Sequence, residues 1–224
     1  MGGRGSASGL VKMAIDAQNG ELNWTGNVGY KVASNLKEAL GDKGAPKTIS
    51  EAIKLANPNF SKAYAEYSMN CQRCVQAYEA LRRGYNVEAQ ATYAGDDMGN
   101  VMYMRNVNGL VESRSKWMGS FKNVKTDTVG AKGVSKTVKN IEAKMKQYGA
   151  GARGIIKVRW SAGGGHVFNV ENVGGKIKYI DAQLGKTVNI TDYLSYANNI
   201  YTNLVRTDNL QFTNRARLAF RTKS

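Results

Sequence analysis

Asn70-Cys71-Gln72-Arg73-Cys74-Val75-Gln76-Ala77-Tyr78-Glu79-Ala80-Leu81-Arg82-Arg83-Gly84 contains both cysteines of the chain and reads as one helix with defined ends. Cys71, Cys74, Val75, Tyr78 and Leu81 recur at helical spacing and form an apolar face. Gln72, Arg73, Gln76, Glu79, Arg82 and Arg83 fill the opposite face. Asn70 is a favoured residue type at a helix N-cap. Two arginines followed by Gly84 suit the helix end, where cations meet the negative pole and glycine turns the chain away. Cys71 then falls in the first turn, beside backbone N–H groups that have no partner within the helix, a place that favours negative charge. Cys74 sits one turn deeper, where a packing thiol is expected.

Two further features point back to this helix. The single histidine, His166, follows Gly163-Gly164-Gly165 and opens Val167-Phe168-Asn169-Val170. Tyr179-Ile180-Asp181-Ala182-Gln183 comes shortly after. Both segments read as strands, with Asp181 where the second one ends. Cysteine at a helix start, then histidine on one strand and a carboxylate on the next, is the order found in papain-like enzymes. The chemistry asks for these types: a thiolate attacks, an imidazole shuttles the proton, and a carboxylate fixes the imidazole tautomer.

The chain has 224 residues, of which 42% are hydrophobic, enough to bury a core of one domain. It has no apolar run of membrane-spanning length, and its first residues lack the apolar middle of a signal peptide. No membrane association is expected. Two cysteines at CxxC spacing do not make a disulfide framework, so synthesis in a reducing cytoplasm is expected. The net charge of +15 suits a solvated surface or an acidic partner. Basic residues are spread along the chain, which weakens a nucleic-acid reading without removing it.

Residues 1–45, rich in Gly, Ser, Asn and Lys, read as an arm that is loosely attached or ordered by packing on the domain, with short helices near residues 11–17 and 30–40; residues 46–224 read as the main domain. Thr48-Ile49-Ser50-Glu51 has the form of a capping box and opens a helix to about Ala56. Tyr64 and Tyr67 are expected beside the Cys71 helix. Residues 85–91 alternate as a short strand, Trp117, Met118 and Phe121 suggest a short helix, and residues 123–133 read as a loop. Val134 to Tyr148 is the longest helix, with Val134, Val138, Ile141 and Met145 facing inward. Strands follow over 154–160, 166–172 and 176–181, the last two joined by a tight turn at Gly174-Gly175. A capped helix over 191–199, a strand over 201–206 and a further strand within 210–220 complete the chain. Helices first and antiparallel strands afterwards give an α+β architecture.

The motifs also resemble the papain-fold toxin family, a group of protein-glutamine deamidases. The resemblance lies in Asn70-Cys71-Gln72-Arg73-Cys74, Arg82-Arg83-Gly84-Tyr85-Asn86-Val87, Gly151-Ala152-Arg153-Gly154, Gly165-His166-Val167-Phe168-Asn169 and Asp181-Ala182-Gln183-Leu184-Gly185. It implies a papain-like cysteine-hydrolase fold, with Cys71 as nucleophile, His166 as base, Asp181 as orienting acid, no cofactor and no metal. Gln183 matches a glutamine that often follows the acid in that family. Asn70, Gln72 and Gln183 are candidates for oxyanion or substrate contacts. The implied partners are a protein substrate and either an acidic immunity protein or a phage structural protein, because such domains occur in polymorphic toxins and in phage head-morphogenesis proteins. The sequence opens with Met1 and shows no delivery module, so it is expected in the cytoplasm of the producing cell, in a virion, or delivered to a target cell.

Other chemistries fit less well. A thioredoxin-type CxxC calls for a βαβ context, a zinc deaminase for H-x-E before its cysteines, and a structural zinc site for four ligands. Gly163-Gly164-Gly165 lacks the ending of a phosphate loop. Two alternatives to a deamidase stay open: a catalytically silent basic protein of a phage head or nucleoprotein, and a papain-like protease. Residues 95–133 could wall a narrow slot that admits one side chain, which favours the deamidase.

Overall fold

The computed structural model describes residues 6–19, 21–23, 32–61, 64–92 and 116–223. The expected wall of the slot falls largely in residues 93–115, outside the described residues. Alternating side chains in the C-terminal half build an antiparallel sheet with two different faces. Strands β3 (Arg153–Arg159), β4 (Gly165–Val173) and β5 (Lys176–Asp181) run next to one another. The short strands β2 (Asp127–Thr128), β6 (Lys186–Thr187) and β7 (Asn203–Arg206) extend the sheet in the order β2-β7-β3-β4-β5-β6. The β4–β5 turn uses Gly174 and Gly175 at φ +58° and +91°, angles that side-chain-bearing residues rarely adopt.

One row of this sheet, Val205, Ile155, Asn169 and Ile180 across β7, β3, β4 and β5, faces helix α5 (Cys71–Arg82). The next row, Leu204, Ile156 and Phe168, faces the opposite way, onto Ile141 and Met145 of α6 (Val134–Tyr148) and Tyr193 of α7 (Ile190–Ser195). The sheet therefore lies between two helical layers. Within the α5 layer, α3 (Ile49–Ala56) carries the full capping box between Thr48 and Glu51. Helix α2 (Leu36–Leu40) and the pair of short strands β1 (Val87–Ala89) and β8 (Phe220–Thr222) belong to the same layer. The four-residue α4 (Ala65–Ser68) leads into α5.

Helix α5 departs from the expected amphipathic form: every residue from Cys71 to Leu81 is buried. Its polar face is covered by the C-terminal segment and satisfied by ion pairs. Glu79 meets Arg83 and Arg153 and accepts from Thr207. Arg83 donates to the carbonyls of Leu210 and Thr207, and Arg73 to that of Leu218. Arg82 and Tyr78 both hold Glu171 on β4. A polar face predicts exposure only when nothing else in the chain supplies partners for it.

Other expectations are corrected in detail. The N-terminal helix α1 spans Ala7–Asn19 and buries Ala7, Leu10 and Ala14 against the α6 layer. Residues 210–220 do not form one strand: a 3-10 turn over Asn214–Leu218 precedes β8. The loop over 123–133 contains β2. Tyr64 is exposed rather than packed beside α5.

Candidate active site

Helix α5 is laid along β4 by a ladder of contacts that ends at the site. Near its C-terminus Tyr78 and Arg82 bond Glu171; one turn earlier Asn169 donates to the Val75 carbonyl at 3.1 Å. The next turn back is Cys71, and the next β4 residue on this face is Val167, the chain neighbour of His166. A hydrogen bond between the Cys71 side chain and His166 is among the interactions acting on the imidazole.

His166 Nε2 lies 2.7 Å from Asp181 Oδ2. An ionised carboxylate only accepts, so Nε2 carries the hydrogen and Nδ1 is left toward Cys71. Asp181 also accepts from the Tyr193 hydroxyl on Oδ2 at 2.6 Å and from the Leu184 backbone on Oδ1 at 2.9 Å. The imidazole is stacked between Trp160 and Phe168, with ring centroids 6.0 and 6.1 Å away. Gly165, opposite Arg159 on β3, sets this up: a Cβ there would meet the Val158 carbonyl at 2.6 Å, so only glycine lets β4 close on β3 beside His166.

Burial of His166 opposes its protonation, but the charge and hydrogen bond of Asp181, with those of Cys71, outweigh it and raise the pKa to about 10. Burial likewise opposes the Asp181 charge; His166 and the bonds from Tyr193 and Leu184 overcome it and hold the carboxyl below its usual range. Cys74 behaves oppositely: burial, with the nearby Cys71 and Asp181 charges, pushes its thiol well up, and its Sγ donates to Asn70 Oδ1 at 3.1 Å.

The three secondary candidates are placed differently. Asn70 does not cap α5 with its side chain. It pairs with Asn57, its Nδ2 donating to Asn57 Oδ1 and to the Gln90 carbonyl, while its Oδ1 accepts from Asn57. Both of its amide hydrogens are thus engaged within the fold. Gln72 turns its Oε1 to the Trp117 backbone at 3.2 Å. Gln183 is tied to the start of α5, because Asn57 donates to its carbonyl at 3.0 Å as well as to Asn70; its Oε1 is buried and has no hydrogen-bond partner among the described residues. Asn57, which ends a helix before Pro58, and Tyr193, a core aromatic on a short helix, carry no sequence signal that marks them for the site, and Trp160 carries only that of a strand residue.

Among the described residues no group of His, Cys, Asp and Glu is arranged to hold a metal ion, and no helix is long and apolar enough to cross a membrane. A family model described as papain fold toxin 1, glutamine deamidase, matches residues 69–186, just over half of the chain. No curated protein and no solved structure matches it.

Proposed function

The chain belongs to the papain-fold toxin family of glutamine deamidases, and from that premise we propose that Cys71, His166 and Asp181 carry out the deamidation of a protein glutamine side chain. The observation that carries this assignment is the bond of buried His166 to Asp181, with Cys71 on the other side of the imidazole. The Cys71 thiolate attacks the carboxamide carbon and forms a C–S bond. Backbone N–H groups at the start of α5, that of Cys71 among them, stabilise the oxyanion. As the intermediate collapses, the C–N bond breaks and His166 gives its Nδ1 proton to the departing ammonia. The product is a thioester. Neutral His166 then takes a proton from water, the resulting hydroxide attacks the thioester carbon, and glutamate leaves as the thiolate is restored. Asp181 holds Nε2–H throughout, so Nδ1 stays the working nitrogen. Gln183, with its buried acceptor beside the Asp181 turn, is the candidate to accept a hydrogen bond from the substrate carboxamide.

The positive charge of the chain suits an acidic protein, either the substrate or an inhibitor, and toxin-family membership suits action in a cell to which the protein is delivered. Residues 46–224 would form the catalytic unit and residues 1–45 its N-terminal extension. The phage-head alternative rests on the family resemblance and the nucleoprotein alternative on the positive charge. The test is a comparison of cell extract treated with the protein, with Cys71→Ala and with His166→Ala. Glutamine-to-glutamate conversion at defined sites is expected only with the unaltered chain; equal conversion by Cys71→Ala would overturn the assignment.

A further inference from the structure

Tyr193 lies beyond the matched residues 69–186, on α7, and is 2% exposed. Its hydroxyl donates to Asp181 Oδ2, the same oxygen that accepts from His166 Nε2. Its ring also closes the aromatic box: the centroid is 5.9 Å from His166, 5.0 Å from Phe168 and 6.2 Å from Trp160. Helix α7 is fixed locally, with Asn189 capping Thr191 N and with Ile190 and Leu194 buried. If only packing were needed, phenylalanine would fill the same space without the cost of removing a hydroxyl from water. The hydroxyl instead falls on the oxygen that binds the imidazole.

We propose that Tyr193 is a positioning residue for the reaction: it fixes the Asp181 carboxylate and takes a share of the Oδ2 charge that would otherwise bear wholly on His166. This rests on the reading of His166 and Asp181 as the proton-transferring pair. With the Leu184 N–H on Oδ1, the carboxylate is held by three donors and cannot rotate to offer His166 a different oxygen. The sign of the effect follows from the groups around the pair. Cys71 faces His166 from α5, Asp181 faces it from the end of β5, Cys74 lies within the field of Asp181, and Asp192 neighbours Tyr193 on α7. Of these neighbours only Tyr193 draws charge off Oδ2 without itself being charged. Its loss leaves a carboxylate that binds the imidazolium more tightly and releases its proton less readily, which slows the step in which His166 gives its proton to ammonia.

His166 is the only histidine of the chain, so its ring signals can be followed by NMR without assignment ambiguity. In Tyr193→Phe the His166 titration should move to higher pH, on the order of half a unit for one lost hydrogen bond. The alkaline limb of the ammonia-release profile should move with it. Replacing Tyr193 by 3,5-difluorotyrosine, a stronger donor of nearly the same shape, should move both to lower pH and keeps the test available if the phenylalanine variant does not fold. An unchanged titration in either folded variant, with only a lower melting temperature, would overturn the proposal and leave Tyr193 a packing residue. Opposite shifts in a chain that releases no ammonia from protein would support the positioning role and count against the deamidase reading instead.

Discussion

His166 Nε2 and Asp181 Oδ2 meet at 2.7 Å with 3% and 0% of the two residues exposed, so neither group can exchange its partner for water. Nε2 therefore keeps its hydrogen toward Asp181, and Nδ1 is the nitrogen that gains and loses a proton. Asp181→Asn keeps the shape but lets the amide NH2 hold the opposite tautomer. Ammonia release should then fall steeply, by about 10⁴ if the serine-triad precedent transfers. Steady-state rates check this, and a fall of less than about tenfold would contradict the assigned role of Asp181 as the group that fixes the tautomer.

The same pair makes stability depend on pH. The folded-state pKa of His166 is about 10. The unfolded value is about 6.5. Between them the folded chain binds the extra proton, so the contribution is fully present below about 6.5 and is lost as pH rises through the folded value. Urea midpoints for the unaltered chain should fall across this window more steeply than those of His166→Gln. Parallel curves would show that the imidazole is not protonated in the folded chain.

The two cysteines should differ in reactivity although both are buried. Cys74 is held as a thiol by burial and donates to Asn70, while Cys71 opens α5 beside His166. Iodoacetamide near neutral pH should therefore modify Cys71 first. Peptide mapping that finds Cys74 alkylated first would remove the basis for Cys71 as nucleophile.

Glu79 supports the site from the far end of α5. It is fully buried and meets Arg83, Arg153 and Thr207, which ties the helix to β3 and to the residues after β7. Glu79→Ala leaves two guanidinium groups facing one another without their anion. A loss of about 3 kcal/mol is expected, the low end for a broken buried pair because both arginines are partly exposed and can turn toward water. Chemical denaturation measures it; a loss below about 0.5 kcal/mol, the range of ordinary surface substitutions, would mean that the network does not hold α5 in place.

Much of this arrangement was legible in the sequence because it depends on local rules. Helix α6 follows the spacing of Ile141 and Met145, the β4–β5 turn follows Gly174-Gly175, and α3 follows its capping box. The candidate site was legible because cysteine and histidine are scarce: one histidine and two cysteines leave few pairings to consider. What stayed hidden depends on contacts distant in sequence. The burial of the polar face of α5 comes from partners such as Arg153, Glu171 and Leu218, far along the chain. The pairing of Asn57 with Asn70 turns an expected cap into a bridge to Gln183. Tyr193 reaches Asp181 only once α7 has folded back over the sheet.

The fate of a protein substrate tests the role of Cys71 most directly. The unaltered chain should release ammonia from protein, and mass spectrometry should find the substrate chain intact, with the mass increase of a carboxamide converted to an acid. Cys71→Ala should give neither. Cleaved peptides without ammonia, or the same conversion by Cys71→Ala, would contradict a Cys71-dependent glutamine deamidase.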